Sequence, residues 1–273
     1  MRVLLRRGVK QALKKIIPLS MRSWLKVAGY SVLDVIDPIT APRVPSRRQT
    51  TIGGGDFIAV GDSFFSILKE SGLTPDMKVL DVGCGQGRMA RPLTDWLQGS
   101  YHGFDIDKRA IIWCEQHYKD VANFHFIHAN IFNARYNKGG QVLAGDFTFP
   151  YDDNVFDCVF LTSVFTHMFQ DDVARYLSEI ARVAKPNARI LISWYLWEAG
   201  LPADKMDFRH KVDDVSFTTL TANPEAAMAF DINWVKALYD KAGLEIETIH
   251  RGAWAGGAGK MGLQDLIAAK VTD

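Results

Sequence analysis

The chain has 273 residues, 48% of them hydrophobic and 23% charged, with a net charge of +1. That length suits one large α/β domain with an appendage, and so apolar a composition excludes a disordered chain. Cys84, Cys114 and Cys158 lack metal-ligand or redox spacing, so they read as small apolar residues in a reducing compartment, and no metal is expected.

The near-zero charge hides an asymmetry. Residues 1–48 hold eleven Lys or Arg against Asp34 and Asp37, a balance of +9 that leaves −8 on the remainder. Basic charge confined to one end argues against a nucleic-acid groove across the main domain. Leu5, Val9, Ala12, Leu13, Ile16 and Ile17 share one side at helical spacing, with Arg7, Lys10, Gln11, Lys14 and Lys15 opposite. Pro18 ends that helix, and a second apolar segment runs from Trp24 to Ile36. No apolar run approaches the ~18–20 residues that span a bilayer. The arm, residues 1–36, has three readings: a helical hairpin on its own domain, an in-plane anchor on the inner membrane surface, or an organelle presequence. A cytoplasmic protein is expected.

Residues 37–55 read as a linker, broken by Pro38, Pro42 and Pro45 and ending in Gly53-Gly54-Gly55, a lid or a hinge. The main domain is expected over 56–273. Asp56 should cap a helix through Lys69 with Phe57, Val60, Phe64, Ile67 and Leu68 on its apolar face. Strands are expected near 77–82, 100–105, 123–129, 156–163, 188–195, 244–251 and 264–271. Helices are expected near 88–98, 107–119, 171–184 and 233–242. Such alternation predicts a parallel sheet with helices on both faces.

The rest is organised around Val79-Leu80-Asp81-Val82-Gly83-Cys84-Gly85-Gln86-Gly87-Arg88. A short apolar run ending in an acid turns through three alternate glycines, where backbone can approach a ligand closely. A helix starting there would aim its N–H groups at that ligand.

With three further motifs, this stretch resembles the class I S-adenosylmethionine-dependent methyltransferases. They are Tyr101-His102-Gly103-Phe104-Asp105-Ile106-Asp107, then Phe149 to Val159 leading into Leu161 to Met168, then Ile180 to Asn187. Asn187-Ala188 stands where the family pattern has two glycines. The resemblance implies a Rossmann-like, seven-stranded, mostly parallel sheet in order 3-2-1-4-5-7-6 with the last strand antiparallel. It also implies S-adenosylmethionine as cofactor. Gly83, Cys84, Gly85 and Gly87 would lie against its methionine and ribose, and Asp81 would reach the amino group. Asp105 would accept both ribose hydroxyls, Ile106 would pack on adenine, and backbone at Leu161, Thr162 and Ser163 would approach the sulfonium. For the adenine amine the family has an acid after the third strand. Here Asn130, followed by Ile131, takes that place, with Asp146 as a second candidate. Arg88 either meets the cofactor carboxylate or is an exposed arginine.

Chemistry beyond the cofactor is less determined. A hydroxyl acceptor gains from a general base, for which His167 is the leading candidate against a purely structural histidine. Tyr151, and His210 with Asp207, are weaker candidates. Residues 197–232 are expected to cover the acceptor, a small molecule, glycan or lipid-linked intermediate, unless Trp194, Tyr195 and Trp197 are ordinary packing. Two other classes remain. One is an NAD-dependent dehydrogenase, although G-x-G-x-G is not its G-x-G-x-x-G spacing. The other is a non-catalytic cofactor-binding module.

Overall fold

A computed structural model describes residues 29–50, 54–134, 136–202 and 205–272 apart from Val32, so most of the predicted arm lies outside the described residues. Two compact units divide the chain at Gly54/Gly55. In the first, residues 29–31 and 33–36 are helical and the proline segment that follows is bends and turns. Asp34 accepts the backbone amides of Arg47 and Arg48 at 3.1 Å each, and the Arg47 guanidinium pairs with Asp37 at 2.7 Å. Among the described residues, no helix is long and apolar enough to cross a membrane.

The second unit opens with α1 (Phe57–Glu70), whose N-cap Asp56 accepts the Ala59 amide at 2.8 Å. It buries Phe64, Ile67 and Leu68, the stripe expected from the helical period. Strands β1 (Lys78–Val82), β2 (Ser100–Asp105), β3 (Phe124–His128), β4 (Phe156–Leu161) and β5 (Ala184–Trp194) follow. Between them lie α2 (Lys108–His117) and α3 (Gln170–Val183), and α4 (Ile232–Lys241) precedes β10 (Leu244–His250) and β11 (Asp265–Val271). The seven-stranded sheet runs β10-β11-β5-β4-β1-β2-β3. In this sheet β11 runs antiparallel to both its neighbours, β10 and β5, and the other pairings are parallel. In chain order this is 3-2-1-4-5-7-6.

Alternation sorts the core onto two faces. Val79, Tyr101 and Phe160 pack with α1 and α2, while Leu80, Val82, Phe104 and Leu161 pack with α3 and α4. Burial on both faces explains why Val79, Leu80 and Val82 of β1 are all apolar. Asp81 falls on the Tyr101 face, so its burial follows from the strand period.

Two expectations change. The helix predicted over 88–98 is instead a series of turns around a 3-10 segment, Arg91–Leu93. Pro92 has no N–H for the Arg88 carbonyl, and that carbonyl faces Gly61 of α1, where a Cβ would stand only 2.5 Å away. The last helical residues before β5 lead directly into it, so β5 begins four residues earlier than predicted. Asn187 takes φ +63°, the left-handed conformation a glycine of the family pattern would adopt and asparagine tolerates.

Glu179, just before the fourth motif, and Arg182 within it form a brace. Glu179, 3% exposed, accepts the Phe149 amide at 2.8 Å and pairs with Arg182 at 2.7 Å and Arg175 at 3.3 Å. Arg182 continues to the carbonyls of Phe149 and Tyr151. The segment feeding β4 is thereby tied to α3. Glu179→Gln keeps an acceptor for Phe149 but loses the charge facing two guanidinium groups. We expect it to cost about 1–3 kcal/mol; an unchanged urea midpoint would deny the brace its role.

The insertion is not an unstructured loop. It builds a four-stranded sheet, β6 (Leu196–Trp197), β9 (Met228–Asp231), β8 (Ser216–Thr218) and β7 (His210–Lys211) in that spatial order.

Candidate active site

The glycine turn leaves β1 and crosses the end of β2, where the amides of Gly83 and Cys84 donate to the Phe104 carbonyl at 2.9 and 3.1 Å. Gly83, Gly85 and Gly87 have φ of +79°, +54° and +70°, values that disfavour any side chain. Two of them also make room for protein. A Cβ on Gly83 would stand 2.3 Å from Val164, and one on Gly87 would stand 2.8 Å from the Tyr118 hydroxyl. Cys84 is buried against Gly103, where a Cβ would meet its sulfur at 2.9 Å. Its thiol is pushed well up by burial, as an inert packing group would be.

Two acids flank this turn. Asp81 accepts the Tyr101 hydroxyl at 2.7 Å on Oδ2, while Oδ1 is buried without a hydrogen-bond partner. Burial pushes its carboxyl up to about 8, opposed by the Tyr101 bond and reinforced by Asp105. Asp105 accepts the Gly85 amide at 2.8 Å and the Asp107 amide at 2.7 Å, one on each oxygen. Burial raises it too, against those two bonds. The turn runs into a 3-10 segment and single turns rather than a regular α-helix, and two buried acids flank it. Such a site suits a cation and repels a pyrophosphate. The orphaned Asp81 oxygen and the second lone pairs of Asp105 fit the ammonium and ribose of S-adenosylmethionine.

The remaining predicted contacts fall around this centre. Ile106, half-buried, follows Asp105 and its carbonyl meets His128 Nε2 at 3.3 Å. Asn130 is half-buried, and its Oδ1 accepts from Asn137 at 3.3 Å. An adenine amine would therefore share that oxygen. Ile131 turns into the core, and Asp146 is exposed on a separate 3-10 turn. Arg88 is half-buried over the Phe57 ring, 5.4 Å from its centre, and burial lowers its pKa.

Leu161 ends β4 in the core, Thr162 is half-buried, and Ser163 adopts φ +59°. Its amide donates to Ser193 Oγ at 2.8 Å and its hydroxyl to Gln264 Oε1 at 3.0 Å. Val164 then touches Gly83, and one 3-10 turn later stands His167. Its Nδ1 lies 2.7 Å from the Glu225 carbonyl. A carbonyl only accepts, so Nδ1 carries the hydrogen and Nε2 of the neutral ring carries the lone pair.

Two candidates are placed elsewhere. Tyr151 packs edge-on against Phe156, the first residue of β4, and against His102 of β2. Its hydroxyl is buried without a hydrogen-bond partner, and burial, with a smaller contribution from Cys84, raises its pKa. His210 is exposed on β7, the edge of the small sheet. Asp207 pairs with Arg209 instead. Sequence reasoning missed Tyr101, Val164, Glu225 and Gln264. Tyr101 was within the second motif, but only the strand register sets it beside Asp81; the others meet the site through tertiary contacts.

Asp81 carries a prediction with its sign. Its folded value lies above that of an unfolded aspartate, so its own contribution to stability is fully present below about pH 4 and is lost as pH rises through about 8. Asp81→Asn should therefore raise the melting temperature of the ligand-free protein at pH 8. Wild-type affinity for S-adenosylmethionine should tighten between pH 6 and 8 with release of a proton, and the variant should bind more weakly with a flat profile. Calorimetry in two buffers of different ionisation enthalpy reads the proton; none released would refute the assignment.

Residues 80–192 match the family described as Methyltransferase domain. Over 132 residues the chain is 31% identical to a sterol 24-C-methyltransferase of Gibberella zeae, covering 46% of this chain and 29% of that protein. Over 128 residues it is 27% identical to an O-methyltransferase of Aspergillus nomiae, covering 46% and 49%. The chain thus spans less than half the length of these curated relatives. The crystal structure of the Burkholderia thailandensis 1,6-didemethyltoxoflavin-N1-methyltransferase, with its substrate and S-adenosylhomocysteine bound, shares the fold. It matches with a TM-score of 0.53 at 15% identity, covering 80% of each chain. Strand order, glycine turn and the match over residues 80–192 together make this chain similar to the class I S-adenosylmethionine-dependent methyltransferases, with a methyltransferase domain over those residues.

Proposed function

We propose that this protein transfers the methyl group of S-adenosylmethionine to an oxygen of a small molecule, glycan or lipid-linked intermediate. The observation that carries the choice of oxygen is His167, oriented by the Glu225 carbonyl one turn beyond the residue that touches Gly83. When bound, the cofactor supplies an electrophilic methyl on a sulfur that leaves as a neutral thioether. The protein's part is alignment and proton management. Asp81 would hold the ammonium, Asp105 the ribose, and the backbone at Leu161 to Ser163 would face the sulfur. His167 Nε2 would take the proton of the acceptor hydroxyl as the new bond forms.

Glu225 belongs to the insertion, and its side chain also accepts from Asn133 at 3.1 Å in the connection after β3. Two loops that meet over His167 support a cover for the acceptor. A second reading is N-methylation, since an amine needs no strong base. The test is transfer from labelled S-adenosylmethionine to fractions of a cell extract, followed by identification of the methylated atom. A labelled ether or ester supports the proposal; a methylamine product would replace it with the second reading, and no transfer would favour a non-catalytic module.

A further inference from the structure

The polar chain that starts at Ser163 leads to a cleft that the proposed transfer chemistry does not use. Gln264, which accepts from Ser163, also hydrogen-bonds the Tyr195 side chain. Tyr195 packs on Phe208 and Trp254 with ring centres 5.0 and 5.5 Å apart, all three buried in one cluster. Phe208 and Trp254 in turn line a cleft of about 200 Å³, whose apolar wall continues through Trp197, Phe217, Leu201, Pro202 and Met206 and whose polar rim is Glu198, Asp207 and Arg209. Trp197 follows β5, so the cleft opens on the same edge of the large sheet as the glycine turn.

The walls narrow the choice of occupant. Trp197 stacks on Phe217 at 4.0 Å and 20°, which holds the indole as a flat wall. The rim charges are balanced, Asp207 with Arg209 and Glu198 with Arg251. A cation or an anion therefore meets no uncompensated charge. The carboxylates nevertheless keep spare lone pairs and the guanidinium groups keep N–H donors. An alkyl chain would use the aromatic wall but gain nothing from that rim. A ring with one apolar C–H face and a hydroxyl edge uses both.

We propose that this cleft binds a neutral pyranose ring of the acceptor, so that the methylated molecule is a sugar or bears one. Its purpose rests on the methyl-transfer reading, but its binding chemistry does not, and the two can be tested apart. Saturation-transfer NMR on the full chain loaded with S-adenosylhomocysteine would use methyl pyranosides of the gluco, galacto, manno and rhamno series. Choline and hexanol serve as cationic and aliphatic probes. At least one pyranoside should bind saturably through its C–H face, and Trp197→Ala should weaken it about three- to tenfold. Arg209→Gln, an exposed change that does not depend on refolding the aromatic wall, should weaken it as well. Affinity for S-adenosylhomocysteine should be unchanged in both variants. Binding of choline or hexanol but of no pyranoside, or equal pyranoside binding by both variants, overturns the proposal. Failure of S-adenosylmethionine to bind in calorimetry would instead sink the methyl-transfer reading while leaving the pyranoside result to stand.

Discussion

Replacing Asp105 with alanine is expected to weaken S-adenosylmethionine binding by at least about a hundredfold. A carboxylate offers four lone-pair sites, and the Gly85 and Asp107 amides use one on each oxygen. The Ile106 amide contributes as well, and we assign the capacity that remains to two vicinal ribose hydroxyls. Charge-assisted hydrogen bonds are worth about 1.5–3 kcal/mol each, so losing two costs roughly 3 kcal/mol or more. Alanine also releases the Gly85 amide and loosens the turn that Asp105 holds. A ribose analogue separates the two effects. Removing the 2′-hydroxyl from the ligand should weaken wild-type binding tenfold or so, about 1.4 kcal/mol, and should cost the variant almost nothing. Equal losses in both proteins, or unchanged affinity in the variant, would remove the ribose assignment and leave Asp105 a loop clamp.

His167→Asn should lower the rate of transfer to a hydroxyl acceptor by about 10²–10⁴-fold, the usual worth of a positioned general base. Cofactor affinity should hardly move, because the residues we assign to the cofactor, on β1 and β2 and just after β3 and β4, do not include His167. The Glu225 carbonyl at 2.7 Å fixes which ring nitrogen carries hydrogen. A base that is pre-oriented in this way loses its function on replacement without loss of the fold. An additive with a basic nitrogen, such as imidazole, should recover part of the rate. Full activity in His167→Asn would return the residue to a structural role and favour an amine acceptor.

The two acids explain why the glycine turn alone was an incomplete guide to ligand choice. In a dinucleotide site the helix N-terminus after the turn faces a pyrophosphate. Here the turn runs into a 3-10 segment around Pro92, and Asp81 and Asp105 flank it. Asp81 was visible from its place in D-x-G-x-G-x-G. Its orphaned oxygen was not, because that depends on Tyr101 reaching across from β2 and on the burial of the whole edge. Likewise the brace from Glu179 to Phe149 and Tyr151 spans some thirty residues. The sequence of the fourth motif did not show it.

Local order in the chain carried most element types and the acids beside the glycine turn, since apolar period, glycines and caps are set within a few neighbours; the strand order came only from the family resemblance. Contacts between distant segments settled the rest. Tyr151 and His210 carried the right functional groups, yet packing set one against Phe156 and the other on the rim of the small sheet. Glu225 and Gln264 gave no sign of importance until folding brought them to His167 and Ser163. A side chain's chemistry is written at its own position, whereas its neighbours are chosen by how sheets and loops close over one another.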